Sequence, residues 1–198
     1  MIPHVLNDKK NFISGWYIDK NLCESIVESC SGKNKLKLIG VRKNTFRGYL
    51  LNNLINLSEE LQIQYELELD KVFNLYIKEY PFLKTIEKLE IEKTVIENYQ
   101  HPIKNVHIQL YDPTCSYSTL HCENEGARTF INRSLVFMTY LNDVEDGGGT
   151  YFPLQGITTK AEQGLTLMWP AYWTHPHNGV VSNTEKKIIA TGWYSFKN

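Results

Sequence analysis

Long apolar runs are absent from this chain. None approaches the ~20 residues needed to cross a bilayer, and the opening MIPHVLNDKKNF holds no apolar stretch of signal-peptide length. An excess of one charge is missing as well. Lys+Arg number 21 and Asp+Glu 22, so the composition gives no general affinity for nucleic acid or an anionic membrane. Cysteine is scarce, and the four present (Cys23, Cys30, Cys115 and Cys122) form neither a CxxC pair nor a zinc-ligand spacing. Cys23 and Cys30 stand two helical turns apart, too far for a disulfide. Reduced thiols in a cytoplasmic protein are the expectation, and the Asn-Xaa-Ser matches at Asn56 and Asn132 then count as chance. With no linker, repeat or low-complexity tract, the 198 residues read as a single domain.

The texture changes near the middle. Residues 1–100 lean helical. Leu22, Ile26, Val27 and Cys30 mark one face of a short helix starting near Asp19. Ser58 is placed as an N-cap, with Glu59 and Glu60 in the first turn, where the dipole favours them. Leu61, Tyr65, Leu69, Val72, Phe73, Tyr76 and Tyr80 then recur at helical spacing until Pro81. The charged KTIEKLEIEK reads as a solvated helix face, and KLKLIGV as a strand. From residue 101 onward VHIQLY, RSLVFMTYL, GLTLMWP and KKIIATGWYSF have strand character. Turn signals at Asp112-Pro113, Asp146-Gly147-Gly148-Gly149 and Asn178-Gly179 separate them. Many short strands with glycine-rich turns point to an antiparallel sandwich or barrel.

Chemistry concentrates in His121-Cys122-Glu123. On a strand, residues two apart share a face, so both side chains can reach one metal while Cys122 points away and packs as a small apolar group. Alone, such a triplet is a weak signal in a chain with six histidines. His177 lies 54 residues beyond Glu123, and Lys187 ten further. Two imidazoles and a carboxylate can hold one face of Fe(II) and leave the other face open to small ligands. His175 competes with His177 for the third position. His4, His101 and His107 have no partner at ligand spacing and read as surface or structural residues. Lys187 sits in an otherwise apolar segment, so it either faces solvent or meets an anion.

The order of these features resembles the 2-oxoglutarate- and Fe(II)-dependent dioxygenases of the prolyl 4-hydroxylase group, closely over residues 106–196 and more loosely over the helices before them. The motifs carrying it are VHIQLYDP, His121-Cys122-Glu123, RSLVFMTYLN, the GGGT turn with Phe152-Pro153, GLTLMWPAYWTHPH and Lys187. The resemblance implies an α+β fold, in which a double-stranded β-helix (jelly-roll, cupin-like) core over 101–198 carries the site and a mainly helical 1–100 supports it. It implies that His121, Glu123 and His177 bind Fe(II) and that Lys187 pairs with the distal carboxylate of 2-oxoglutarate. The ten-residue offset to Lys187 favours His177 over His175. Tyr140 matches a tyrosine that bonds the same carboxylate, and Tyr111 one that faces the metal end of the co-substrate. For both, plain core burial is the alternative. Trp193 matches an aromatic read as packing. O2 is the remaining co-substrate, with ascorbate as a stimulant.

Three positions depart from the family pattern. Glu123 stands where most relatives carry aspartate, Gly149 where the turn has glutamate, and Ile188 where an aromatic follows the basic residue. None removes a required group, and a carboxylate at 123 argues for hydroxylation over halogenation. The substrate implied is a prolyl residue in a peptide or protein. Another protein residue, a free amino acid or other small molecule, and a nucleobase stay open. A non-redox jelly-roll module binding metal or sugar, and a scaffold protein, are the readings from other classes. Neither accounts for Lys187 at its offset.

Overall fold

Two helices form where the apolar spacing requires them. The computed structural model describes residues 1–4, 11–30, 48–51, 57–85, 89–91, 93–94, 103–104 and 106–196. Helix α1 (Lys20–Ser29) is capped by Asp19, whose side chain accepts from the Asn21 amide, and it buries Leu22, Cys23 and Ile26. Helix α2 (Glu59–Glu79) starts at Ser58, whose side chain accepts from the Leu61 amide. It buries Tyr65, Leu69, Val72 and Tyr76 along one face and gives way to a 3-10 turn at Pro81–Thr85.

The strands are β1 (Ile2–His4), β2 (Ser14–Tyr17), β3 (Gly48–Leu51), β4 (Leu89–Ile91), β5 (Lys93–Thr94), β6 (Ile103–Lys104) and β7 (His107–Tyr111). They continue as β8 (Arg133–Tyr140), β9 (Thr150–Phe152), β10 (Ile157–Thr158), β11 (Leu165–Pro170), β12 (Asn178–Gly179) and β13 (Lys187–Phe196). A large antiparallel sheet runs β1-β2-β11-β8-β13-β7-β3, with β4 also paired to β13. A small sheet runs β10-β9-β12, and β5 pairs with β6. The expected jelly-roll arrangement, with helices against a β core, is what the elements form.

Alternation along the central strands sorts residues between two layers. On β8, Leu135 and Phe137 pack with the buried faces of α1 and α2, while Val136, Met138 and Tyr140 pack toward Phe152 of the small sheet. All eight β8 residues are buried, so its middle, Leu135 to Met138, is continuously apolar rather than alternating. On β13, Ala190 and Tyr194 face the helices, whereas Lys187, Ile189, Thr191 and Trp193 face a cavity on the other side. Each large apolar side chain removed from water in these layers is worth about 1.5–3 kcal/mol. Tyr65 ties the helical layer to the sheet through a polar chain, its hydroxyl 2.9 Å from Thr139 Oγ1, which lies 2.8 Å from Thr166 Oγ1.

Several local expectations fail. KTIEKLEIEK is not a helix face, because its Leu89–Ile91 segment is recruited to the end of β13. The first hundred residues also supply strands, and β2 lies inside the large sheet, paired with β1 and β11. Asn178-Gly179 is a short strand on β9 rather than a turn. The KLKLIGV segment, Asn56 and His101 lie outside the described residues. Among the described residues, no helix is long and apolar enough to cross a membrane.

Candidate active site

His121-Cys122-Glu123 is not on a strand. It lies in the loop between β7 and β8, where His121 and His177 form an isolated antiparallel bridge. The bridge is reciprocal: the His121 amide donates to the His177 carbonyl at 3.1 Å, and the His177 amide donates back at 2.9 Å. Next to it, the Glu123 and Asn124 amides both donate to the Ala171 carbonyl, at 3.1 and 2.9 Å. Backbone pairing, rather than strand alternation, thus brings together side chains distant in the chain. One ligand atom from each of His121, Glu123 and His177 lies within 4.8 Å of the others.

Each imidazole is oriented from behind. His121 Nδ1 donates to the Thr119 carbonyl at 2.9 Å, and His177 Nδ1 to the His175 carbonyl at 3.0 Å. Both Nε2 atoms are therefore turned toward the carboxylate, 3.2 Å and 3.6 Å from Glu123 Oε1. The second oxygen, Oε2, accepts from Trp193 Nε1 at 2.9 Å and lies 3.5 Å from the Arg133 guanidinium. Arg133 is itself sandwiched, 3.5 Å from the Trp193 ring centroid and 4.0 Å from that of Phe130. Burial alone would raise the Glu123 carboxyl. Hydrogen bonds from His121 and His177, with their charge, outweigh burial and hold it well below the usual carboxylate range. Burial lowers His121, but its bond to Glu123 and that carboxylate's charge leave it above its ordinary value.

These atoms line one part of a cavity of ≈190 Å³, and Lys187 lines another. Lys187 is 5 % exposed. Its ammonium makes no hydrogen bond or ion pair with another described residue. It lies 4.9 Å from the Tyr111 ring centroid and 3.3 Å from where a Cβ would sit on Gly179. Burial pulls the amine from 10.5 down to about 8. Trp169 also lines the cavity, and its buried indole N–H has no partner among the described residues.

The other expected residues fall out unevenly. Tyr111 lines the cavity opposite Lys187 in the β7–β13 register, and its hydroxyl donates to Gln109. Tyr140 does not line the cavity; its hydroxyl lies 2.8 Å from both Thr150 Oγ1 and Thr159 Oγ1, in the core. Thr150, by contrast, does line it. His175 turns away: Nε2 donates to the Asn11 carbonyl at 2.8 Å, and Nδ1 lies 2.9 Å from Thr174 Oγ1. Cys122 is half-buried rather than packed, its thiol directed at the Asn124 carbonyl 3.5 Å away. Gly149 leaves no room for the family's glutamate, since a Cβ there would sit 1.8 Å from the Thr159 carbonyl oxygen.

Sequence reasoning missed Arg133 and took Trp193 for packing. For Trp193 the cue was alternation on β13, which puts the indole on the cavity side with Lys187, Ile189 and Thr191. For Arg133 alternation gave none, since it shares the parity of Leu135 and Phe137, and the β8–β13 register is irregular beside it.

The chain matches no protein-family model and no curated protein sequence. Its likeness is to solved structures. A viral collagen prolyl hydroxylase from Paramecium bursaria Chlorella virus-1, solved as its 2OG complex, superposes with TM-score 0.66 at 16% identity, over 94% of this chain and 97% of that one. A Pseudomonas putida prolyl-4-hydroxylase gives TM-score 0.67 at 18% identity, over 94% of each chain. A Trichoplax adhaerens prolyl hydroxylase, in complex with a hypoxia inducible factor oxygen degradation domain peptide fragment, gives 0.64 at 14% identity, over 93% of this chain and 84% of that one. The chain therefore has a prolyl 4-hydroxylase-like fold.

Proposed function

We propose that this chain is a single-domain 2-oxoglutarate- and Fe(II)-dependent dioxygenase that hydroxylates an unactivated C–H bond. The observation carrying the proposal is one cavity that holds both a His-Glu-His cluster and a buried ammonium that meets no anion among the described residues. The donor set fits a divalent iron: two imidazoles whose Nε2 atoms face the carboxylate and would coordinate on losing their protons to solvent, and an ionised carboxylate already oriented. The ammonium fits a dicarboxylic co-substrate, because burying it without a partner is costly.

With Fe(II) bound by His121, Glu123 and His177, the centre would couple O2 to decarboxylation of 2-oxoglutarate into succinate and CO2, with one oxygen passing to the substrate C–H. The protein's own part is positional. Lys187 would pair with the distal carboxylate of 2-oxoglutarate, flanked by Tyr111. Trp193 and Arg133 hold Glu123 from one side, leaving its other oxygen to the imidazoles. Phe152 and Trp169, whose rings pack 5.5 and 5.0 Å from that of His177, help exclude water from the centre.

A prolyl residue in a peptide or protein is the substrate we infer. One structural neighbour was solved with a peptide, and large apolar side chains stand exposed on segments that meet the site. Trp173 (75 %) follows the Ala171 carbonyl that anchors Glu123, and Leu154 (66 %) precedes Gln155, which donates to the Thr174 carbonyl. Such side chains suit an extended polypeptide better than a small polar solute. The test is anaerobic addition of Fe(II) and 2-oxoglutarate, expected to give a weak visible charge-transfer band that His121→Ala removes. Succinate release is then screened over proline-containing peptides, free amino acids and nucleic acid. Absence of both band and succinate would leave a non-redox binding module.

A further inference from the structure

Lys187 has a reason to leave its place. Its neighbours are Lys186, whose side chain is 64% exposed and lies 3.6 Å from Asp112, and Ile188, which packs toward the helices. A shift of one residue at the start of β13 that moved Lys187 into the place of Lys186 would turn the ammonium to water and bring the apolar Ile188 inward, since side chains alternate faces. Desolvation favours that shift. Something must resist it.

On one side, β7 pairs Lys187 with Tyr111. On the other side, β8 has run out. Its last register partner is Tyr140, opposite Ile189, and Leu141 adds one amide bond to the Ile188 carbonyl at 2.9 Å. Beyond that point the ladder continues through a side chain. Asn142 Oδ1 accepts from the Ile188 amide at 2.8 Å, and Asn142 Nδ2 donates to the Lys186 carbonyl at 2.9 Å. The same Nδ2 donates to the Asp143 carbonyl at 2.8 Å. One planar amide thus substitutes for a strand residue and grips the backbone on both sides of Lys187.

We propose that Asn142 is a positioning residue for Lys187: it holds the strand register that keeps the ammonium facing the cavity, and through it sets affinity for the dicarboxylic co-substrate. The inference rests on the co-substrate reading of Lys187 given above. Other bonds join the same loops: the Glu145 and Asp146 amides donate to the Glu185 carboxylate, and the Asn183 amide and Thr184 hydroxyl donate to that of Asp146. None of these touches the backbone on either side of the ammonium.

The experiment combines amine labelling with binding. In the wild type, acylation followed by mass spectrometry should modify Lys187 far more slowly than Lys186. Asn142→Ala should speed Lys187 labelling. It should also raise the KM for 2-oxoglutarate about tenfold or more, the scale of two lost hydrogen bonds. Turnover at saturating 2-oxoglutarate and Fe(II) affinity should stay near wild type. Asn142→Asp, which keeps the acceptor for the Ile188 amide, should fall between the two. A folded Asn142→Ala with unchanged Lys187 labelling and unchanged KM overturns the proposal, even if its melting temperature drops. Should that variant fail to fold, amide exchange in the wild type decides: Ile188 must be protected like Ile189, and free exchange there overturns the proposal. Rapid Lys187 labelling in the wild type sinks the co-substrate reading and the inference together. Slow labelling that responds to Asn142→Ala, with no 2-oxoglutarate binding, sinks that reading while the positioning of Lys187 stands.

Discussion

Around Glu123, donors from His121, His177, Trp193 and Arg133 converge on two carboxylate oxygens, whereas the more deeply buried Lys187 ammonium meets no anion among the described residues. The two parts of one cavity are thus prepared differently. The carboxylate end has its geometry before any ion arrives, so little reorganisation accompanies metal binding. The ammonium end carries an electrostatic cost that an incoming dicarboxylate would relieve. On the proposed co-substrate role, stability is set against function at Lys187 and much less so at the cluster.

The largest effect expected follows from breaking the prepared end. His177→Ala removes a proposed ligand, and Fe(II) affinity should fall by more than the 10- to 100-fold typical of losing an outer partner, with succinate production abolished. Equilibrium dialysis of the metal checks this; retained affinity would mean that the cluster is not the metal site.

Lys187→Met probes the strained end and should separate two properties. Affinity for 2-oxoglutarate, read by calorimetry, should drop about 100-fold with the loss of a charge-assisted pair, while Fe(II) binding is unchanged. The fold should become more stable, because moving an amine from 10.5 to about 8 corresponds to about 3 kcal/mol of burial cost. The pH dependence has a definite sign. The folded chain releases this proton near 8 and the unfolded chain near 10.5, so between these values the unfolded state binds more protons and stability rises with pH. Denaturant titrations should show that rise in the wild type and lose it in Lys187→Met. Co-substrate affinity should move the other way, weakening as pH passes 8. A stability that falls through this window in the wild type alone would contradict the assignment.

Trp193→Phe is the subtler change at the prepared end. It keeps a ring beneath Arg133 but deletes the N–H donated to Glu123 Oε2. Metal affinity should fall about 10- to 100-fold, with 2-oxoglutarate affinity of the remaining metal-loaded fraction little altered. An unchanged metal affinity would reduce Trp193 to the packing role that the sequence alone suggested.

How legible all this was depends on whether the signal was local. Helix α2 was readable end to end because its cap, acidic first turn, apolar face and terminating proline lie in one continuous stretch. The strands of β8, β11 and β13 were readable from composition. The fate of KTIEKLEIEK was not, since a short charged segment becomes strand only where β13 offers it an edge. At the site, spacing and family resemblance marked the three clustered residues and Lys187. Neither could show that a bridge between His121 and His177 replaces a strand, or that Tyr140 spends its hydroxyl on two threonines. Arg133 and Asn142 escaped notice because their roles depend on partners far along the chain.

His175 gives the smallest effect and the sharpest check on the contrast. It lies two residues from His177, is similarly buried, and in sequence was its rival. What separates them is which ring nitrogen is left over. His177 donates Nδ1 to a carbonyl and keeps Nε2 for the cluster, whereas His175 commits Nε2 to the Asn11 carbonyl and places Nδ1 against the Thr174 hydroxyl. No ring nitrogen remains for an ion. Burial lowers its pKa, consistent with a neutral ring held by those two bonds. His175→Gln, which can still donate to Asn11, should therefore leave Fe(II) affinity within about twofold of wild type and cost only about 1 kcal/mol of stability. Loss of metal binding on the scale of His177→Ala would place the wrong histidine at the centre.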